Sequence, residues 1–492
     1  MSGELIMSSS VVRTRFAPSP TGYIHIGNLR SALYEYLIAR ANGGKFILRI
    51  EDTDQERLVE GAVDVIYRAL KICGLKHDEG PDIGGPYGPY IQSQRKDIYL
   101  KYAEELVKKG HAYYCFCSKE RLETLQKEYS ARGEVFRYDR HCLKLSEEEV
   151  RKRLEAGEPY VIRQKMPTEG TTTFYDAVYG EITVNNSELE DQILIKSDGY
   201  PTYNFANVID DHLMHITHVV RGSEYLSSTP KYKLLYEAFG WEVPVYVHLP
   251  LIVKPDGSKI SKRKGDATFE DLLAQGYLPE AIINYLALLG WSPETNQEIF
   301  SLAELERIFS VERISKSPSV FDIAKLRWFN GEYIRAMSLE KFHELALPWI
   351  KKGLEKDLPT LPIAKMLQPR VDVLSEIPEK LGFFNHLPEY DLALYTNKKS
   401  KTNPEISLNS LKAALPVLES INDWDEKSIY EALTALAEKL QLKTGQIFWP
   451  VRIAISGQLV TPGGASEIAE VLGREETLRR INIGIEKLSS AI

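Results

Sequence analysis

Two strand-like runs, 11–16 and 45–50, flank a helical stretch from Ile26 to Ala41. This strand–helix–strand order constrains the fold more than any other feature of the chain. Two strands joined this way lie parallel, and parallel strands need a long crossover, usually a helix. Between the first run and the helix lies the turn-forming segment Pro18-Ser19-Pro20-Thr21-Gly22. The helix opens at His25-Ile26-Gly27-Asn28 and closes at Asn42-Gly43-Gly44, residues that tolerate the positive φ of a helix terminus. An imidazole and exposed backbone N–H groups at a helix N-terminus form a favourable place for phosphate.

Residues 59–73 read as a second amphipathic helix. From about 115 to 199 the chain is charged, rich in Thr and Tyr, and alternates as strands do at Glu181-Ile182-Thr183-Val184. This stretch reads as an insertion between two halves of one sheet, which resumes with strands at 218–221 and 245–251. After Phe269 the pattern turns helical: 279–290 opens with Pro and closes with Gly, and 424–440 and 464–488 keep helical periodicity. Pro359, Pro362 and Pro369 mark a boundary or a bend. At 492 residues the chain exceeds a single core, and about three to five structural units are expected.

A net charge of −8 argues against indiscriminate nucleic-acid binding, but affinity for phosphate depends on local basic surface. Local candidates are Arg121, Arg132, Arg137 and Arg140, then Lys262, Arg263 and Lys264, then Arg313, Lys316, Lys325 and Arg327. Any one of them alone is more often a solvated surface charge. No apolar stretch suits a membrane span. Residues 1–10 lack the basic and apolar regions of a secretory signal and are expected to be a disordered leader. Only four cysteines in so long a chain point to a reducing compartment, the cytoplasm.

Far downstream, Pro255-Asp256-Gly257-Ser258 leads into Lys259-Ile260-Ser261-Lys262-Arg263, a basic loop able to open for entry and close over phosphates. Alone it is as often a basic surface loop. Paired with the box at His25 in this order, it resembles the two signatures of the class I aminoacyl-tRNA synthetases. Phe16 to Gly22, Arg49-Ile50-Glu51-Asp52-Thr53-Asp54, Tyr200 to Asn207 and Phe321 to Trp328 make the chain similar to the bacterial glutamyl-tRNA synthetases. The resemblance is dense from Arg13 to Tyr333, thins beyond and resumes at Pro450–Gly473. One departure is Asn28, where the family's first box usually ends in His.

The resemblance implies an α/β fold. A Rossmann-like class I catalytic domain in two halves, 11–114 and 200–268, is split by an inserted α+β acceptor-binding domain, 115–199. An all-α stem-contact domain, 269–335, and an all-α anticodon-binding domain, 336–492, follow. It also implies ATP-dependent ligation of L-glutamate to tRNA-Glu through a glutamyl-adenylate, with activation that itself needs tRNA, by a monomer. Two alternatives are a glutamyl-queuosine tRNA synthetase-like enzyme and a non-catalytic tRNA-binding paralogue. More than two hundred residues after Arg263 argue against the first, and the retained phosphate-handling residues against the second.

Activation is an in-line attack of a carboxylate on the α-phosphorus of ATP, so the protein must position two anions and neutralise charge. His25, Gly27, Asn28, Lys259, Ser261 and Lys262 form the expected ATP site, with Mg²⁺ on the nucleotide; His25, Gly27, Lys259 and Lys262 are its catalytic members. Glutamate has two carboxylates and one ammonium. Arg15, Glu51 and Arg221, each at the end of an expected strand, supply the complementary charges where open α/β sheets bind ligands. By resemblance Ser19 and Glu51 face the amino group, and Ala17 belongs to the same set. Tyr203 and Asn207 bond a carboxylate, and Arg15 and Arg221 pair with the carboxylates, Arg15 at the side-chain end. The plainer readings are an ion pair of Glu51 with Arg49 or Arg57, and a core position for Tyr203.

Three of the four cysteines cluster as Cys115-x-Cys117 and Cys142, with Tyr138 and His141 nearby. Two sulfurs on one turn and a third close by suit a structural Zn²⁺ that lacks one ligand. Imidazole is the commoner fourth ligand. Tyr138 is favoured because it stands four residues before Cys142, one helical turn, while His141 is adjacent and points elsewhere. The same pattern resembles the zinc site of some glutamyl-tRNA synthetases. The plainer reading is three thiols without metal. Cys73 reads as core. Arg370, in Gln368-Pro369-Arg370, resembles an arginine that some family members use to exclude tRNA-Gln.

Overall fold

A computed structural model describes residues 11–258, 260 and 268–492. The leader 1–10 and Lys259, Ser261 and Lys262 of the basic loop lie outside the described residues. The chain divides into two compact units: residues up to Leu272 with Ile282–Asp322, and Leu273–Ala281 with Ile323–Ile492.

The first unit opens with β1 (Arg13–Phe16), α1 (Ile26–Ala41) and β2 (Lys45–Leu48). The two strands pair in parallel, Arg13 opposite Lys45 and Phe16 opposite Leu48. α1 is buried on nearly every side, and the charged side chains Arg30 and Glu35 are buried with it. α2 (Ala62–Ile72) begins later than its apolar pattern because Gly61, at φ 77°, sets its start. Then come α3 (Lys96–Lys108), β3 (Ala112–Cys115), α4 (Lys119–Ala131), α5 (Glu147–Glu155), β4 (Val161–Gln164), β5 (Thr171–Asp176), β6 (Gly180–Asn185) and β7 (Ile193–Ile195). The chain returns through α6 (Tyr203–Leu213), β8 (His218–Gly222), α7 (Thr229–Phe239) and β9 (Val245–Leu249).

β8 and β9 are parallel, with Arg221 opposite His248. A hydrogen bond of 3.0 Å from Thr217 N to Arg13 O sets β1 beside the start of β8. The stretch 115–199 does two different things. β3, β4 and β7 form an antiparallel sheet of their own, in that order. The β5–β6 hairpin instead extends the β8–β9 sheet, giving the order β6-β5-β9-β8. Its attachment is polar: Asp176, fully buried at the end of β5, accepts from the His248 backbone N at 3.1 Å. Phe174, Tyr246, Val219, Phe205, Tyr232 and Leu235 fill the core behind these strands.

The second unit is built of helices. Pro404–Glu419 buries Leu411, Ala414 and Leu418, and Glu426–Lys439 buries Ile429, Leu433, Leu436 and Ala437, the one-sided spacing of amphipathic helices. Asn403 and Asp425 cap them, each accepting from a backbone N–H of the first turn. The single helix expected over 464–488 is two, Ala465–Leu472 and Arg474–Ala491, broken at Gly473 with φ 78°. Pro359 leads into Thr360–Leu367 and Pro369 sits in the turn that follows, so these prolines shape a bend inside the unit. Among the described residues, no helix is long and apolar enough to cross a membrane.

Candidate functional site

A cleft of about 390 Å³ opens at the carboxyl ends of β1 and β8 and at the N-terminus of α1. Arg15, Ala17, Ser19, His25, Gly27, Asn28, Glu51, Tyr203 and Arg221 all line it, so the strand ends and the helix start converge as the sequence pattern implies. Asn207 does not line it; its amide donates to the Tyr203 carbonyl at 2.6 Å, the preceding turn of α6. Ile260 reaches the wall from the basic loop.

His25 occupies the N-cap of α1 in an extended conformation. Its Nδ1 accepts from Gly27 N at 3.1 Å. A neutral ring held this way carries its proton on Nε2, the nitrogen that faces away from the cap. Gly27 has a second reason to be glycine beyond ligand access: a Cβ there would stand 3.2 Å from His25 Nδ1 and crowd the cap.

The charged residues form a network that the sequence pattern does not reveal. Asp211 of α6, fully buried, accepts from Arg15 Nε at 2.8 Å, from Arg15 Nη2 at 3.2 Å and from Arg49 Nη1 at 2.8 Å. Arg15 also stands 3.7 Å from Glu35 of α1. Arg49 Nη2 donates to Glu51 at 3.0 Å, so Glu51 both makes the ion pair considered above and faces the cleft. Asp210 anchors a second layer: Arg95 donates to it at 2.7 Å, Tyr99 at 2.7 Å and Gln92 at 3.0 Å. Burial would raise the Asp211 carboxyl, but Arg15 and Arg49 outweigh it and hold the group below its ordinary value. Burial wins at Glu35 and Glu51, whose carboxyls rise above the ordinary range against the pull of Arg15 and of Arg49. Burial also pushes the Tyr203 phenol well up, which keeps it a neutral donor.

Arg221 differs from Arg15. Its guanidinium lies 4.8 Å from the Tyr232 ring and 5.4 Å from the Tyr225 ring. Its Nε and Nη1 are buried and have no hydrogen-bond partner among the described residues. A buried guanidinium with unmet donors on a cleft wall is built to receive an anion. Residues missed from the sequence are Arg30, Glu35, Asp210, Asp211, Glu224 and Tyr225. The available signal was charge inside otherwise apolar helices, at Arg30 and Glu35 and at Asp210-Asp211.

In the stretch 115–199 the sulfurs of Cys115, Cys117 and Cys142 lie within 4.8 Å of one another. Tyr138 Oη is 3.3 Å from Cys115 Sγ and 3.4 Å from Cys117 Sγ. Four donors this close match the edges of a tetrahedron with metal–sulfur bonds of about 2.3 Å. His141 is exposed, and its backbone N bonds to Asp139. Tyr138 and Cys142 do not share a helical turn: a 3₁₀ turn begins at His141, and Arg140 before it has φ 56°. The reversal at Arg140, fixed by its bond of 2.6 Å to Asp191, returns Tyr138 to the thiols. A hydrogen bond from Cys142, with another from Tyr138, lowers the Cys115 thiol. Arg163 stacks 4.0 Å from the Tyr138 ring, and Arg121 reaches Cys117 Sγ at 3.5 Å.

Several basic candidates have partners of their own. Arg121 pairs with Asp139, Arg132 with Glu134 and Arg140 with Asp191. Arg370, in the second unit, donates two hydrogen bonds to the Glu467 carboxylate, from Nη1 at 3.0 Å and from Nη2 at 3.1 Å.

Comparison with known proteins agrees with this geometry. The model of the tRNA synthetases class I (E and Q), catalytic domain, matches residues 11–328, and an anticodon binding domain matches 341–485. A glutamate–tRNA ligase of Clostridium botulinum is 62% identical over 479 residues, covering 97% of this chain and 99% of that protein. One of Clostridium tetani is 60% identical over 99% of this chain and 100% of its own length. A crystal structure of a glutamate tRNA ligase from Elizabethkingia meningosepticum, in complex with its amino acid, superposes with a TM-score of 0.88 at 40% identity, covering 97% of this chain and 100% of that one. By family model, identity and fold together, this chain belongs to the glutamate–tRNA ligases, within the class I tRNA synthetases.

Proposed function

We propose that the cleft joins glutamate to ATP and that the resulting adenylate is passed to tRNA-Glu. The observation that carries this reading is Arg221: a buried, permanently charged fork with unmet donors, beside Glu51 and Tyr203. Arg221 takes one carboxylate of glutamate. Arg15, already braced by Asp211 and Glu35, adds charge at the other end rather than a free fork. Glu51 and Ser19 receive the ammonium, and Tyr203 donates to a carboxylate as a neutral phenol. Asn207 acts by holding the first turn of α6, where Tyr203 sits.

His25 Nε2 donates to the α-phosphate as charge builds on it, and Gly27 and Asn28 leave the backbone open to the nucleotide. Lys259, Ser261 and Lys262 supply charge and hydrogen bonds to the phosphates, with Mg²⁺ bound to ATP. Activation requires tRNA, which shifts ATP or the lysine loop into a productive position. In the second unit Arg370 faces the anticodon and bears on whether tRNA-Gln is accepted. The purified chain should exchange pyrophosphate into ATP only with glutamate and tRNA together, and should esterify tRNA-Glu with glutamate. Robust exchange in nuclease-treated protein would contradict the tRNA requirement, and glutamine used as well as glutamate would contradict the site.

Cys115, Cys117, Cys142 and Tyr138 fit a structural zinc ion, which when bound supplies a crosslink between β3 and the Tyr138–Cys142 turn. Arg163 and Arg121 lie close enough to balance the negative charge of the thiolates. Purified protein is expected to carry about one equivalent of zinc. Cys115→Ser and Tyr138→Phe should speed its loss to a chelator, and His141→Ala should not. Zinc retained in Tyr138→Phe and lost in His141→Ala would reverse the choice of ligand.

A further inference from the structure

Arg221 raises a physical question: with no hydrogen bond on Nε or Nη1, something other than a direct partner must aim it. Two aromatic rings, Tyr225 and Tyr232, stand against its guanidinium, and its backbone sits in β8 opposite His248 of β9. His248 is fully buried and joins three elements. Its Nδ1 lies 2.6 Å from Asp176 Oδ2, so the ring donates to the carboxylate at the end of β5. Its Nε2 lies 3.3 Å from Thr229 Oγ1, in the first turn of α7. The Thr229 hydroxyl in turn donates to the Tyr225 carbonyl at 2.9 Å. Thr229 also stands one turn before Tyr232 on α7.

Asp176 is itself fixed from every side. Its Oδ1 accepts from Val178 N and Tyr179 N, each at 2.9 Å, and its Oδ2 from His248 N. Tyr179, in the turn of the same hairpin, donates to the Lys316 carbonyl at 3.1 Å. Polar contacts thus link the β5–β6 hairpin through one imidazole to Thr229, whose hydroxyl holds the Tyr225 carbonyl and whose helix, α7, carries Tyr232. None of Asp176, His248 and Thr229 lines the cleft.

We infer that Asp176, His248 and Thr229 are positioning residues that aim Arg221 at the substrate carboxylate by holding Tyr225, Tyr232 and the β8–β9 register. The inference rests on the reading of Arg221 as a carboxylate partner. A guanidinium that gains its geometry from packing loses it when the packing shifts, and a displacement of about 1 Å can cost about a hundredfold in rate.

The test is steady-state kinetics of glutamate- and tRNA-dependent exchange on full-length variants whose melting curves match wild type. Thr229→Val keeps the shape and removes the hydroxyl; it should raise the KM for glutamate by about tenfold and leave that for ATP within about twofold. Thr229→Ser should restore the wild-type value. His248→Asn keeps a donor toward Asp176, loses the link to Thr229 and should behave like Thr229→Val. In an Arg221→Ala background, His248→Asn should add less than about twofold, because two changes acting through one group are not independent. A full additional loss there, or an equal rise in both KM values from Thr229→Val, overturns the positioning role. If Arg221→Ala itself leaves the glutamate KM unmoved, the reading of the cleft fails instead, and the two failures are distinct.

Discussion

Asp211→Ala is expected to lower the stability of the first unit by about 3–5 kcal/mol. Asp211 is the carboxylate on which Arg15 and Arg49 meet, with bonds of 2.8 Å to each, and all three side chains are buried. Removing it leaves two guanidiniums close together without water to screen them, which costs far more than the pair itself contributes. Asp211→Asn keeps the shape and loses the charge, and should fall between alanine and wild type. Acid should reach the same interaction. Burial alone would raise this carboxyl, but the arginines hold it below its ordinary value. Its contribution is therefore complete above the unfolded carboxylate pKa of about 3.9, and is lost as pH falls through the lower folded value. Urea unfolding of both variants checks the claim; a midpoint unchanged in Asp211→Ala would mean that the network does not hold the strands.

That network marks the limit of what the sequence discloses. Strand, turn, helix and strand over 11–50 follow from apolar runs and from Gly and Pro punctuation, because those signals are local. α1 runs from Ile26 to Ala41 as its pattern predicts. Cleft residues contributed by strand ends, Arg15 and Arg221, are legible for the same reason. Asp211 is not, because its meaning lies in partners more than a hundred and fifty residues away. Equally non-local is the β5–β6 hairpin: its alternation says strand, but its pairing with Tyr246 of β9 and the buried Asp176–His248 contact are what assign it to the β8–β9 sheet. Over 464–488, helical periodicity continues across Gly473, so the break escapes any reading of apolar spacing. At the cysteines the sequence brings forward Tyr138 for the wrong geometric reason. The chain reversal at Arg140, not a helical turn, carries the phenol to the thiols.

Arg221→Ala is expected to have the largest effect on substrate binding. Loss of the charged partner of a buried carboxylate costs on the order of 2–5 kcal/mol, a fall in affinity of about 30-fold or more. Arg221→Lys keeps a charge but not the fork, and should recover only part of it. ATP does not depend on this fork, so its binding should change little. Arg15→Ala would be a poorer probe, since it also strips Asp211 of a partner and mixes stability with affinity.

The claim at the centre of this account is that glutamate sits in the cleft on Arg221. Titration calorimetry of glutamate into wild-type and Arg221→Ala protein, each with tRNA-Glu present, tests it most directly. Glutamate affinity should fall at least about 30-fold in Arg221→Ala with tRNA affinity retained. Glutamate binding with the same Kd in both proteins would contradict it.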